Sequence, residues 1–126
     1  MSQTPHRLGK VQLQIMQVLW RRGSATAREI TDELNRTLPI AHSTVQTLLR
    51  KLEAKGAVTH ALEERTFVFR PLYEQTEVTE SAIEELMTRL FNGSVYGLVA
   101  HLLKRERISP EELKRLRELI AKEEKP

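Results

Sequence analysis

A mainly α fold with a single small β-hairpin is what this sequence predicts, and three observations carry that expectation. Apolar residues recur at helical spacing over most of the 126 positions. The period changes to strand-like alternation only in residues 57–70. Caps and glycines cut the helical stretches into short pieces.

The first helix is expected over Leu8 to Arg22. Leu8, Val11, Ile15, Val18 and Leu19 fall on one face, and Leu13, Met16 and Trp20 widen it, so this helix should centre the core. Gly23 stops it. Thr26 and Glu29 have capping-box spacing and open a second helix that carries Ile30 and Leu34 inward to about Asn35. After Pro39, a third helix is expected from His42–Ser43, with Ser43 and Gln46 again at capping-box spacing. Its inward stripe is Val45, Leu48, Leu49 and Leu52, and it ends at Lys55-Gly56. Ala57–Leu62 and Thr66–Arg70 then read as two strands, with Phe67 and Phe69 on one face and Pro71 as the stop. Three helices followed by a hairpin predict a winged helix-turn-helix domain over residues 1–75.

Residues 76–126 read as a helical region. Ile83, Leu86, Met87, Leu90 and Phe91 recur at helical spacing, and Val95, Leu98, Val99, Leu102 and Leu103 repeat it after Asn92-Gly93. Ser109-Pro110-Glu111-Glu112 supplies an N-cap, an N1 proline and an N3 carboxylate for a last helix striped by Leu113, Leu116 and Ile120. About 45 residues of short amphipathic helix make a poor core alone. A second copy of the chain is therefore the expected partner, with Val95, Leu98, Val99, Leu102, Leu103, Leu113, Leu116 and Ile120 in the dimer interface. Folding back on the N-terminal domain is the alternative.

Composition narrows the function. Apolar residues make up 40% and charged residues 29%, with five glycines and five prolines, which fits a globular chain rather than a disordered one. Cysteine is absent, excluding disulfides, thiolate metal sites and a cysteine nucleophile. His6, His42, His60 and His101 fall in different elements, and no two share metal-ligand spacing. Glu63-Glu64 and Glu84-Glu85 are adjacent pairs whose side chains diverge. With no phosphate loop, nucleophile elbow or Walker lysine, neither enzymatic activity nor a cofactor or metal is expected. No apolar run is long enough to span a membrane and no signal-peptide core is visible, so a cytoplasmic protein without direct membrane insertion is expected.

The charge is uneven. Residues 1–75 hold 11 basic and 7 acidic side chains, net +4, against 9 and 10, net −1, for residues 76–126. In the third helix the stripe leaves Ser43, Thr44, Gln46, Thr47, Arg50 and Lys51 outside. Short hydroxyls and an amide lead, and cations follow. A helix entering the major groove N-terminus first needs that order, hydrogen-bonding side chains for base edges and cations for phosphates. A solvated face, or a winged-helix module that binds a protein partner, would present the same residues.

Ala25-Thr-Ala-Arg-Glu-Ile30, His42-Ser-Thr-Val-Gln-Thr-Leu-Leu-Arg-Lys-Leu52 and Lys55-Gly56 resemble the BlaI/MecI-type penicillinase repressor family. Leu19-Trp20, Arg65, Phe67 and Phe69 match its pattern too, and Ser94–Ile120 looks like its dimerisation region. The resemblance implies a homodimeric, sequence-specific repressor on an inverted-repeat DNA operator, serving a β-lactam-response or stress operon. It places DNA-reading roles on Ser43, Thr44, Gln46 and Thr47, with Arg50 on the backbone and Arg65 in the wing. It also implies release through a membrane sensor-protease pathway. The bond aligned with the family's cleavage point is His101–Leu102, where the family pattern has Asn-Phe. Copper-responsive relatives carry a C-terminal cysteine cluster that this chain lacks. The wing departs as well, with Glu64 where the family usually has Gly. Two carboxylates at the tip would repel phosphate and resist positive φ, so a turn longer than two residues and a weaker wing contact are expected.

Overall fold

The computed structural model describes residues 7–105 and 108–125. Six helices and a small sheet follow one another as α1 (Lys10–Arg22), β1 (Ala25–Thr26), α2 (Ala27–Leu34), α3 (His42–Ala54), β2 (Val58–Glu63), β3 (Thr66–Pro71), α4 (Gln75–Phe91), α5 (Val95–Lys104) and α6 (Pro110–Glu124). The chain divides into two compact units at Ile83–Glu84, inside α4.

The N-terminal unit is built around α1. Ile15, Met16 and Leu19 have no exposed surface, and Ile30 of α2 with Val45, Leu49 and Leu52 of α3 close on them. Gly23 ends α1 at φ +87°, a left-handed conformation costly for residues with a Cβ, while its N–H donates to the Leu19 carbonyl at 2.7 Å. Thr26 caps α2 as its spacing foretold: the hydroxyl accepts from the Glu29 N–H at 3.1 Å, and Glu29 Oε1 accepts from the Thr26 N–H at 2.8 Å. Behind the sheet, Trp20 Nε1 donates to the Tyr73 carbonyl at 2.9 Å and Tyr73 Oη to the Lys55 carbonyl at 3.1 Å. These bonds tie the chain leaving the sheet to α1 and to the end of α3.

Three local expectations differ from the structure. The sheet has a third strand, β1, in the order β1-β3-β2, with Ala25 opposite Phe69 and Thr26 opposite Val68. A two-residue strand carries no period of its own, and only the arrival of β3 creates it. Ala41, not Ser43, is the N-cap of α3, so Ser43 lies inside the helix with its hydroxyl uncommitted to capping. The hairpin is also tight. Glu63 pairs with Thr66, leaving only Glu64 and Arg65 in the turn at φ +47° and +68°. A two-residue turn with both residues left-handed suits the right-handed twist of the strands. The ladder from Val58 opposite Pro71 to Glu63 opposite Thr66 holds the turn there, at a backbone cost of about 1–3 kcal/mol per residue that glycine would avoid.

The C-terminal unit contains the end of α4, α5 and α6. Ser94 caps α5 by accepting from the Gly97 N–H at 2.9 Å, and Ser109 caps α6 by accepting from the Glu112 N–H at 3.1 Å, with Pro110 in the first turn. Neither α5 nor α6 contains a buried residue.

Candidate nucleic-acid interface

The site is the outer face of α3, held in place by α2. Thr31, buried on α2, donates its hydroxyl proton to the Ala27 carbonyl at 2.8 Å. Its oxygen then accepts from Nδ1–H of His42, 3.1 Å away, at the first residue of α3. Asn35 clamps the connection: its Nδ2 donates to the carbonyls of Thr31 and Ile40, both at 2.9 Å, and its Oδ1 accepts from the Ile40 N–H at 3.1 Å. A short polar side chain at the end of α2 thus replaces backbone partners the turn has lost. Sequence alone marked Asn35 as the end of α2 and gave neither it nor Thr31 a bonding role. The signal available was an Asn at a helix end, five positions before Ile40.

At about 100° per residue, Val45, Leu48, Leu49 and Leu52 form the inner arc of α3, with Leu48 half-buried and the other three buried. Ser43, Thr44, Gln46, Thr47, Arg50 and Lys51 share the opposite arc, and all six are exposed. Arg50 Nη2 donates to Thr47 Oγ1 at 3.3 Å, so the cation reaches back over the hydroxyl one turn earlier. No acidic side chain pairs with Arg50 or Lys51 among the described residues. Arg65 is exposed at the hairpin tip, directly after Glu63 and Glu64.

Part of the charge elsewhere in this unit is paired internally. Glu33 pairs with Arg21 and with Arg22, the latter at 3.4 Å, and Glu29 pairs with Arg22 at 3.2 Å. The Thr26 N–H, assisted by the Arg22 guanidinium, holds the Glu29 carboxyl below the usual carboxylate range. Arg50 and Lys51 of α3 have no such partners among the described residues, so their charge stands unneutralised on the face just described.

The C-terminal residues singled out by spacing occupy α5 and α6. Val95, Val99 and Leu103 are exposed on α5, with Leu98 and Leu102 half-buried between them. On α6, Leu113 and Leu116 are half-buried and Ile120 is exposed. Tyr96, 84% exposed, and Leu119, 54% exposed, extend the apolar surface beyond the residues chosen from sequence. His101 is exposed on α5, its ring edge-on to Phe91 at a centroid distance of 6.4 Å. Among the described residues, no cluster of three His, Asp or Glu side chains could hold a metal ion, and no helix is long and apolar enough to cross a membrane.

A tri-helical core, an outward α3 and an adjoining hairpin define a winged helix-turn-helix protein. The family profile described as "Penicillinase repressor" matches residues 8–122, and the chain belongs to that family, which is one of transcriptional repressors and not of enzymes. It is 29% identical to the penicillinase repressor of Bacillus licheniformis over 114 residues, covering 90% of this chain and 89% of that one. It is 20% identical to the methicillin resistance regulatory protein MecI of Staphylococcus aureus (strain N315) over 122 residues, or 97% and 99% of the two chains. The solution structure of Bacillus licheniformis BlaI, in monomeric form in complex with the blaP half-operator, superposes with a TM-score of 0.51 at 32% identity, over 61% of this chain and 93% of that one.

Proposed function

We propose that this chain is a sequence-specific DNA-binding repressor that acts as a homodimer on an inverted-repeat operator of a β-lactam-response operon. The observation that carries this reading is the outer face of α3, where six exposed polar side chains run from hydroxyls to unpaired cations. Ser43, Thr44, Gln46 and Thr47 read base edges, Arg50 and Lys51 meet phosphate, and Arg65 adds a wing contact. The BlaI structure, bound to a half-operator, supports the same role for the 61% of this chain that it covers, and the names of the relatives support the operon type.

Residues 76–126 supply the dimer. The support is physical: α5 and α6 hold no fully buried residue and expose Val95, Tyr96, Val99, Leu103 and Ile120. Two such faces meeting about a two-fold axis remove them from water. Release follows from loss of that contact. A sensor-protease pathway cutting His101–Leu102 would sever α5 in the middle of the interface.

The test is an anisotropy titration of the full chain against its own upstream DNA and a scrambled duplex at two salt concentrations. The proposal expects tighter binding to the upstream duplex and a steep fall with salt as counterions are released. Equal, salt-insensitive binding to both duplexes would replace it with the protein-interaction reading.

A further inference from the structure

The side of α3 that faces the hairpin borders a cleft of about 390 Å³, within the range of small-molecule sites. Its walls are apolar. Leu49 and Phe69 are buried at its base, while Phe67 is 52% exposed beside it. One end is held by a bridge from α3 to β2: His60 Nδ1 lies 2.8 and 2.9 Å from the two Glu53 oxygens. A carboxylate only accepts, so Nδ1 carries the proton and bridges to Glu53. The His60 ring stands 4.5 Å from the Phe67 ring, tilted by 44°, giving an aromatic wall one ring deep.

The other end is open and basic. Gln46 and Arg50 line it, and the Arg50 guanidinium donates to the Thr47 hydroxyl at 3.3 Å, with no acidic partner among the described residues. An occupant must therefore offer a flat apolar body to Phe67 and Leu49, and an anion to a planar guanidinium. A cationic ligand would meet the like charge of Arg50, with Glu53 bridged to His60. We propose that this cleft is a binding site for a small aromatic carboxylate, its ring against Phe67 and its carboxylate on Arg50. Arg50 also belongs to the DNA-facing set, so an occupied cleft withdraws a phosphate contact from α3. That consequence rests on the DNA-binding reading above, and it is reciprocal: duplex must weaken the acid by the factor by which the acid weakens duplex.

The experiment titrates 2-naphthoate into the DNA-free full chain, followed by the ligand's fluorescence, with 2-naphthylmethylammonium as the charge-reversed probe. Saturable naphthoate binding is expected, weakened about tenfold by charge reversal, by Phe67→Ala and by Arg50→Gln. Phe67 is half-exposed and Arg50 exposed, so both variants should keep the parent's circular dichroism and melting. No saturable binding, equal binding of the ammonium probe, or full affinity in both variants would overturn the site. A second arm measures duplex affinity with saturating naphthoate, where the parent should lose affinity and Arg50→Gln should not respond. Unchanged parent affinity would overturn the competition. A parent that binds no duplex would overturn the DNA-binding reading instead, and the DNA-free titration still decides the cleft.

Discussion

Helices α1–α3 and helices α5–α6 carry the same kind of amphipathic spacing and meet opposite fates. In the first set, Ile15, Met16, Leu19, Ile30, Val45, Leu49 and Leu52 are buried within one chain. In the second, capped and regular helices leave Val95, Val99, Leu103, Leu119 and Ile120 between 41% and 66% exposed. Periodicity therefore reports that a face is to be buried and is silent on what will bury it. A helical face left open in one chain is the physical case for a second chain.

The comparison can be broken most forcefully in the core. Leu19→Ala should lower the stability of the N-terminal unit by about 2–5 kcal/mol, through lost transfer energy and the cavity left behind. Denaturant unfolding should show that loss at every protein concentration. Leu98→Glu acts on the other set. The parent should scatter as about twice 14.6 kDa at micromolar concentration, and the variant, with a carboxylate to bury at the interface, as a monomer. A variant that stays dimeric would move the interface away from α5.

Arg50→Ala is expected to leave folding and dimerisation intact, since the buried stripe of α3 is untouched. It should weaken upstream and scrambled duplex alike and reduce the magnitude of the salt slope by about 0.9. The smallest effect is at Glu29. Its carboxyl is depressed in the folded chain, first by the Thr26 N–H and then by Arg22, so its charge stabilises the fold at neutral pH. That contribution is present above pH 4.5 and disappears as pH falls through the depressed value beneath it. The stability difference between parent and Glu29→Gln should shrink over that window, as read by thermal melts at stepped pH.

Much of this was legible in the sequence because it is local. The Thr26–Glu29 box, the glycine stop at Gly23 and the stripe of α3 depend on residues a turn or less apart. What escaped depends on distant chain. Strand β1 exists only because Phe69 and Val68 arrive opposite Ala25 and Thr26. Ser43 has the chemistry of a cap, but the clamp of Asn35 on Ile40 starts the helix earlier and leaves Ala41 in that position. At the wing tip, the register of six paired residues overrode the reluctance of Glu64 and Arg65 to take positive φ. The outer face of α3 was found because its residues are what the inner stripe leaves over. The cleft beside it was not, since Phe67 and His60 come from strands whose pairing brings them under Glu53 and Arg50.

The central claim is that α3 reads sequence through its N-terminal hydroxyls. The most direct measurement is the ratio of upstream to scrambled duplex affinity for the parent and Thr47→Ala, at one fixed salt concentration. Thr47 is exposed and buries nothing, and its hydroxyl also receives Arg50, so the variant frees the cation and, under the proposed function, removes a base contact. The account predicts a loss of about 1–3 kcal/mol on the upstream duplex and little change on the scrambled one, collapsing the ratio. An unchanged ratio, with both affinities at the parent's values, would contradict it.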